Sequence, residues 1–201
     1  MTGDQYEGGL KYRSADERLL LTGAFFEIKE KNVATFDKQI LGIAYYKAIG
    51  QVRHQGFELQ AIGQITPQWQ VNTGYAYLDP KVIADVDPAA VGQTQLFLPK
   101  QTYSLYTTYT LHETMLRGLS LGGGVRYVST ERTSYDGSTK SLPGYSLVDA
   151  ALSYPISKWL VQVNAHNIFD RRYFINNYQS LFYGNLPGEP ANFALSVRYT
   201  F

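Results

Sequence analysis

The end of the chain carries the clearest pattern of hydrophobic and polar positions. From Ala191 to Phe201 every second side chain is apolar or aromatic, and the side chains between them are mostly polar. Successive side chains of a β-strand point to opposite faces of a sheet, so this segment is predicted to be a strand with one apolar and one polar face. Its length matches the roughly 9–11 residues that a tilted strand needs to cross a bilayer.

The same alternation recurs along the chain and predicts nine strands. They cover residues 5–13, 18–30, 41–65, 69–78, 100–111, 118–130, 145–154, 159–168 and 191–201. Short turns centre near residues 15, 67, 114 and 156, whereas long loops cover about 31–50, 79–99, 131–144 and 169–190. Transmembrane barrels have this asymmetry, with short periplasmic turns and long extracellular loops. A soluble meander has no reason to sort its connections in this way.

The odd number of strands suggests an incomplete barrel. In an up-and-down sheet nine strands leave the first and last strands parallel, whereas bacterial single-chain barrels have an even number. A strand missed within 40–50 is the competing explanation, and Gly50 and Gly56 are predicted to mark bulges or bends in that region. We therefore predict an all-β chain, an antiparallel transmembrane β-barrel segment of about nine or ten strands in an up-and-down meander. Residues 1–201 are expected to form one domain.

The alternation also assigns residues to the two faces of the sheet. Lipid is expected to contact Leu105, Tyr109, Val125, Val161, Val163, Leu195 and Val197. The lumen is expected to hold Glu58, Gln60, Asn164 and Arg198, with His166 pointing inward beside Asn164. These assignments follow from period-2 facing alone.

Composition narrows the classes of function. Lysine and arginine number 18 against 17 acidic residues, so a net charge of +1 gives no reason to expect a nucleic-acid partner. The chain has no cysteine, which excludes disulfides and thiolate chemistry. Its 17 tyrosines and 10 phenylalanines suit the aromatic girdles of an outer-membrane barrel. No apolar run is long enough for a transmembrane helix, which needs about 18 residues or more.

Residues 1–5 lack the charged start and apolar stretch of a signal peptide. An exported barrel needs such a segment. We therefore expect either that a targeting segment has been removed or that the chain is the tail of a longer one.

Several segments resemble TonB-dependent siderophore receptors of the ferrichrome type. They are residues 2–12 (TGDQYEGGLKY), 26–33 (FEIKEKNV), 52–59 (VRHQGFEL), 98–102 (LPKQT), 142–145 (LPGY), 164–173 (NAHNIFDRRY) and 188–190 (GEP) before the final strand. Residues 52–59 are similar to the Arg-x-x-Gly-aliphatic-Glu segment of that family. Residues 164–173 are similar to its Asn-Leu-Phe-Asp-x-x-Tyr signature. No one motif is decisive, but their order covers nearly the whole chain.

The resemblance implies a bacterial outer-membrane receptor that takes up ferric siderophores with energy from TonB. Receptors of this family have a plug domain, a TonB-contacting box and a barrel of about 22 strands. This sequence resembles only the last nine strands, without the plug, so TonB would act through a plug outside this chain. The resemblance also implies recognition by the barrel-assembly machinery, with Phe201 and Tyr199 as the signal.

The last long loop and its surroundings are the candidate ligand site. Aromatic side chains at a barrel mouth can stack on a ligand, and arginines can attract an anionic ferric complex. The candidates are Tyr173, Phe174, Tyr178, Phe182 and Tyr183, with Arg132, Arg171 and Arg172. The same aromatics could equally form a lipid girdle or pack loop on loop. A siderophore fills the coordination sphere of its iron, so neither a protein metal site nor a resident cofactor is expected.

Other classes of function remain as alternatives. A small autonomous outer-membrane barrel or pore is the second reading, and a soluble β-sandwich binding module is the third. An enzyme is not expected, because the sequence has no Gly-x-Ser-x-Gly or His-Glu-x-x-His motif. The run of glycines at 122–124 is not a phosphate loop, since neither a lysine nor a helix follows it.

Overall fold

The computed structural model describes residues 1–112, 115–135, 141–175 and 186–201. The described residues form eleven strands: β1 (Thr2–Arg13), β2 (Leu19–Ile40), β3 (Ile43–Thr66), β4 (Trp69–Ala84), β5 (Gln101–Thr110), β6 (Ser120–Val128), β7 (Tyr145–Ile156), β8 (Trp159–His166), β9 (Phe174–Ile175), β10 (Leu186–Pro187) and β11 (Asn192–Tyr199). Within these ranges no helix is long and apolar enough to cross a membrane.

Nine of the strands form one antiparallel meander. The order is β1-β2-β3-β4-β5-β6-β7-β8-β11. Within the last long connection β9 and β10, each two residues long, pair antiparallel as a separate small sheet. This confirms the predicted all-β up-and-down sheet and its nine strands. A β-sandwich is wrong, because the described residues form one large sheet rather than two sheets packed face to face. β1 and β11 are its edges, so the sheet is also not the closed barrel of a small autonomous pore.

The register places the apolar side chains on a single face. Leu105 lies opposite Val125, Val161 opposite Val197, and Val163 opposite Leu195, as predicted. Glu58, Gln60, Asn164 and Arg198 share the other face, which carries most of the polar side chains. The apolar face is not covered: Leu195 is 69% exposed and Val197 is 55% exposed. An uncovered apolar wall of this kind is what a lipid-facing barrel requires.

The predicted loop over 31–50 is wrong. β2 and β3 continue through it as one long hairpin that turns at Leu41 and Gly42, both with positive φ. The reason lies in side chains that favour strands, such as Phe36 and Tyr46, whose rings meet edge to face with centroids 6.1 Å apart. The region therefore lengthens two strands instead of adding a tenth.

The two glycines of β3 differ from each other. Gly50 lies at an irregularity of the β2–β3 register, as predicted. At Gly56 the register is continuous, so a bulge there is wrong. Gly56 is needed because a Cβ at that position would collide with the carbonyl oxygen of Tyr77 and the ring of Phe26.

The ends of the sheet differ in their connections. The long β4–β5, β6–β7 and β8–β11 connections lie at one end, called here the long-loop end, together with the tip of the extended β2–β3 hairpin. The β1–β2, β3–β4, β5–β6 and β7–β8 connections lie at the other, the short-turn end. At the first short turn Ser14 Oγ donates to Asp16 Oδ1 at 2.6 Å, and this bond holds the pKa of Asp16 below its usual value.

The most buried residues lie at the long-loop end. β4 runs on to Ala84, further than predicted, and the connection after it folds back along the strand. Gly92 N–H donates to Val82 O at 2.8 Å and Gln95 N–H to Pro80 O at 2.9 Å. Ala90 is only 1% exposed and Val82 3% exposed. The predicted long loop over 79–99 is therefore an ordered cap on the sheet.

Candidate functional site at the long-loop end

Asn167 ties together the two ends of the last long connection. Its Nδ2 donates to the carbonyls of Arg171 (3.0 Å) and Glu189 (3.1 Å), and its Oδ1 accepts from Arg171 N–H (2.8 Å). Asp170 adds a second tie, because its Oδ1 accepts from Ala191 N–H at 2.9 Å. Asn167 is 3% exposed. We call Asn167 and Asp170 the loop clamp.

The clamp explains why this stretch has the sequence Asn-Ile-Phe-Asp. Asn167 and Asp170 both have positive φ, 49° and 48°. Asparagine and aspartate tolerate this left-handed backbone better than other non-glycine residues. The short polar side chains are therefore selected both for the backbone turn and for the hydrogen bonds across the loop base.

Asp149 of β7 anchors the clamp to the polar face of the sheet. Its Oδ1 accepts from Asn167 N–H at 3.0 Å, and its Oδ2 accepts from Arg126 Nε at 3.1 Å. His166 Nδ1 lies 3.7 Å from the same carboxylate. His166 thus lies on the polar face, as predicted. The group forms a charged support on the inner wall directly beneath the clamp.

Tyr173 packs within the protein. Its ring lies 4.4 Å from the ring of Tyr145, centroid to centroid, and it covers Gly188 so closely that a Cβ at Gly188 would collide with it. Gly188 N–H also donates to Tyr173 O at 2.9 Å. These contacts hold Tyr173 between Tyr145 of β7 and the far end of the loop, half-buried rather than free at the mouth.

Arg132 joins two other connections. Its Nη1 donates to Gln93 Oε1 at 3.0 Å, and its Nη2 donates to Tyr135 O at 3.2 Å. Its own carbonyl accepts from Phe97 N–H at 2.8 Å. Burial raises the pKa of the neighbouring Tyr135 phenol, and the charge of Asp85 raises it further. The Arg132 guanidinium therefore holds the β4–β5 connection against the β6–β7 connection.

Arg171, Arg172 and Phe174 are the exposed members of the predicted site. Neither arginine forms an ion pair with any residue in the described ranges. The backbone of Arg171 is fixed by the loop clamp, so its side chain starts from a defined position. Tyr178, Phe182 and Tyr183 lie outside the described residues. None of the candidate roles in ligand binding is tested by these positions, and they stay predictions.

The chain end forms an aromatic cluster at the short-turn end. Tyr199 lies 4.7 Å from Trp159 and 5.1 Å from Phe201, measured between ring centroids. Lys158 Nζ lies 5.9 Å above the Tyr199 ring. Phe201 itself is fully exposed. The predicted assembly role of Phe201 and Tyr199 remains a prediction.

Sequence reasoning missed the residues that build the site. Asn167 stood only as part of a motif, and Asp149, Gln93 and Tyr145 were not candidates. The signal for Asn167 was present, because an Asn and an Asp three residues apart directly after a strand indicate a polar turn. No group of three or more His, Cys, Asp or Glu that could hold a metal ion occurs in the part of the chain that the structure describes.

The chain is similar to known receptors over nearly its whole length. Residues 1–168 match the family described as TonB dependent receptor-like, beta-barrel. The metal-pseudopaline receptor CntO of Pseudomonas aeruginosa is 38% identical over 196 residues, which are 97% of this chain and 27% of that protein. The ferrioxamine B receptor of Salmonella typhimurium is 30% identical, over 86% of this chain and 25% of that protein.

Solved structures agree with the sequence comparison. The ferric-catecholate import receptor Fiu from Escherichia coli superimposes with a TM-score of 0.79 at 29% identity, covering 99% of this chain and 27% of that one. The siderophore receptor PiuA of Acinetobacter baumannii gives a TM-score of 0.83 at 27% identity, covering 98% and 28%. The chain thus spans about a quarter of the length of these proteins. It belongs to the TonB-dependent receptor family and forms part of that family's outer-membrane β-barrel.

Proposed function

We propose that the protein containing this chain is an outer-membrane receptor for ferric siderophores, driven through TonB. The observation that carries the proposal is the match of residues 1–168 to the family barrel. Relatives with this barrel are receptors for metal-pseudopaline, ferrioxamine B and catecholate siderophores. In that role the nine strands form part of the wall, and the long-loop end faces outward as part of the mouth that admits the ligand.

The exposed arginines support an anionic ligand. Arg171 and Arg172 follow the loop clamp directly, and neither is neutralised by an ion pair within the described ranges. Arginine binds carboxylate and catecholate-type oxygens through a planar fork of donors. Phe174 beside them offers an aromatic face for stacking. The loop clamp contributes by holding this short segment in place, which lowers the entropy lost on binding.

Binding by the intact receptor in detergent is the direct test. The probes are a ferric tris-catecholate and ferripyoverdine, which are anionic, and ferrioxamine B, which is cationic. We expect the receptor to bind an anionic complex. The double variant Arg171→Gln, Arg172→Gln should bind it about 10-fold more weakly, because each rim charge contributes about 1 kcal/mol or less. The association rate should carry most of this loss and should depend on salt.

A matched control tests whether the position of the two arginines at the mouth, rather than the net charge of the receptor, determines ligand affinity. Lys11→Gln, Arg13→Gln removes the same two charges from the polar face near the short-turn end. This control should bind like the parent. If none of the three complexes binds, the proposed function is wrong. If only ferrioxamine B binds, the receptor function stands and the anionic ligand is wrong. If binding is unchanged by the Arg171 and Arg172 substitutions, the function can stand but the arginines do not select the ligand.

The remaining partners follow from the same proposal. Lipid would contact the apolar face, the barrel-assembly machinery would act on the last strand, and TonB would act through a plug elsewhere in the full-length protein. The iron would arrive already coordinated by the siderophore, so this chain would contribute no ligand to it. The proposed role is transport rather than catalysis.

A further inference from the structure

On the short-turn side of the mouth, the polar face of the sheet carries a broad stretch that has no acidic or basic side chain among the described residues. One register across it runs through Gln70, Thr108, Gly122, Ala151, Asn164 and Ala194. The next register toward the short-turn end runs through Thr110, Ser120, Ser153, Gln162 and Ser196. We call these two registers, together with Tyr106 of β5, the neutral wall.

Charged side chains of the same face surround the neutral wall. Lys11 and Arg13 lie on β1, to one side of it. Arg198 lies beyond it, near the short-turn end of β11. Arg126 and Asp149, whose Nη2 and Oδ2 atoms are 3.1 Å apart, lie between it and the loop clamp. The neutral wall therefore begins directly beneath the support of the ligand mouth, on the same strands β7 and β8.

The polar groups of the neutral wall partly satisfy one another. Thr110 Oγ1 and Ser120 Oγ share a hydrogen bond at 2.9 Å, and Gln162 Nε2 donates to Asn164 Oδ1 at 3.0 Å. Hydrogen bonds between neutral groups are roughly half as strong as those that involve a charged group. A molecule that lies against this wall meets short, uncharged side chains, several of them already paired, so the wall holds it only weakly.

Tyr106 adds an aromatic surface to the wall without narrowing the lumen. It lies opposite Gly124, and a Cβ at Gly122 or at Gly124 would collide with its side chain. The ring therefore lies along β6, in the space that the two glycines leave, and the residue remains 44% exposed. Its hydroxyl forms no hydrogen bond within the part of the chain that the structure describes. Such a side chain can stack on a ligand and also hydrogen-bond it.

A transport path must bind its cargo strongly enough to admit it and weakly enough to release it. Fixed cations would hold an anionic complex in the lumen, and fixed carboxylates would repel it. The neutral wall has neither, whereas the inner face of β1 and the region around Arg126 and Asp149 do. Of the inner surfaces of these nine strands, the neutral wall best meets the requirement.

We propose that the ferric complex, once it leaves the mouth, crosses the barrel along the neutral wall, with Tyr106 as an aromatic contact on the way. This inference rests on the proposed function and names the side of the lumen along which that transport runs. The occupant is the moving complex rather than a fixed segment of protein, because the wall begins directly beneath the mouth and has no charged group that would hold a segment in place.

The test compares binding with uptake by the intact receptor. Cells that lack other siderophore receptors express it, and the probe is radiolabelled ferric tris-catecholate or ferripyoverdine, whichever the receptor binds. The Kd is measured in de-energised cells, and the uptake rate per receptor is measured at saturation in energised cells. Thr108→Asp, Ser153→Asp should leave the Kd within about two-fold and slow uptake at least about 10-fold, because both carboxylates repel an anionic complex in the confined lumen.

Two matched controls isolate charge and position. Thr108→Asn, Ser153→Asn introduces side chains of the same shape without the charge, and should take up the probe like the parent. Thr22→Asp, Gln60→Asp adds the same two carboxylates to neighbouring positions on the polar face of β2 and β3, outside the neutral wall. This second control should also take up the probe like the parent.

Substitutions of Tyr106 test the aromatic contact separately. Tyr106→Ala should slow uptake by about 3- to 10-fold with an unchanged Kd, since it removes the stacking surface. Tyr106→Phe keeps the ring and should slow uptake less.

Thiol labelling gives a second measurement if the double aspartate variant does not fold. Ser153→Cys and Thr22→Cys, each in a receptor without other cysteines, are exposed to an impermeant maleimide from outside. Labelling of Ser153→Cys should become faster when energised cells are given the probe, because the passage opens along the neutral wall. Labelling of Thr22→Cys should not change.

The proposal would be overturned by any of four results. Uptake by Thr108→Asp, Ser153→Asp at the parent rate, or labelling of Ser153→Cys that does not respond to transport, would place the path elsewhere. Equal slowing by the asparagine pair would mean that the wall packs against a fixed segment. Equal slowing by Thr22→Asp, Gln60→Asp would mean that passage is not confined to the neutral wall. If the parent takes up neither anionic complex, this inference is wrong, and the binding experiment on the intact receptor decides separately whether the proposed function is wrong as well.

Discussion

At the scale of single residues, the long-loop end depends on a few polar side chains that replace missing backbone partners. Asn167 satisfies two carbonyls and one N–H, and Asp170 satisfies another N–H. Tyr173 closes the same loop base by covering Gly188. Asn167 is buried and Tyr173 half-buried, so both position the mouth without being exposed in it, whereas Asp170 is exposed.

Replacing Asn167 by Ala should loosen the last long connection. The Arg171 N–H and two carbonyls would lose their partners, and each unsatisfied buried group costs about 1–3 kcal/mol. The expected loss is roughly 2–4 kcal/mol of local stability. Hydrogen exchange over 167–175 and 186–191 should therefore become faster by at least about 10-fold.

Asn164→Ala is the control for this variant. Asn164 lies on β8, three residues before Asn167, and its Oδ1 accepts a bond from Gln162. It takes no part in the loop clamp, so exchange in the last connection should not change. Unchanged exchange in the Asn167 variant would contradict the clamp.

Deleting Phe201 should lower assembly of the receptor into the outer membrane while leaving the affinity of folded molecules intact. The physical reason is that Phe201 extends the Tyr199–Trp159 cluster at the short-turn end, far along the strand from the long-loop end. The measurements are folded receptor in outer-membrane fractions and siderophore bound per folded molecule. Normal assembly with lost binding would overturn both the orientation and the role of this strand.

At the scale of elements, period-2 patterning predicted nearly every strand, because a lipid-facing wall imposes its apolar side chains on alternate positions. β5, β7, β8 and β11 lie within a few residues of their predicted bounds. Patterning failed over residues 31–50, because the apolar residues there do not alternate with polar ones. Patterning also could not show that the close approach of Tyr77 requires a glycine at position 56, since that contact joins two strands.

The contacts at the ligand mouth were the part of the structure that the sequence predicted least well. The predicted arginines, together with Tyr173 and Phe174, are at the long-loop end, yet Arg132 and Tyr173 are held in packing contacts that no local pattern reveals. Asp149 is one of several acids on strands, and only its contacts with Arg126 and Asn167 distinguish it.

A pair of arginine substitutions tests the faces of β11. Leu195→Arg would place a charge on the lipid face, four residues inside Tyr199, and should cost about 2–4 kcal/mol of folding free energy. Ser196→Arg, one residue away on the polar face, should cost far less. Unfolding of the receptor in urea from lipid vesicles measures both. Equal costs would mean that the face assignment is wrong.

At the scale of the whole molecule, the sheet is incomplete by itself. β1 and β11 each present an unpaired edge in the described structure. Unpaired backbone is not tolerated in hydrocarbon, and exposed edges recruit other strands.

Residues 1–201 expressed alone should therefore form oligomers or aggregates in detergent. Size-exclusion chromatography with light scattering gives the mass of the protein component. A monodisperse monomer that resists heat would contradict an open sheet and would favour an autonomous barrel.

The orientation of the sheet is the feature on which its transport role depends: the apolar face is expected to meet lipid and the polar face the lumen. The chain has no cysteine, so single cysteines can be introduced along β8 and β11 without background from this region. Spin labels at each position from 160 to 166 and 192 to 198, in the receptor reconstituted in vesicles, report collision with oxygen from lipid or with a nickel chelate from water. We expect a period of two, with oxygen preferred at Val161, Val163, Leu195 and Val197 and nickel preferred at Gln162, Asn164 and Ser196. Equal access on both faces, or the opposite phase, would contradict it.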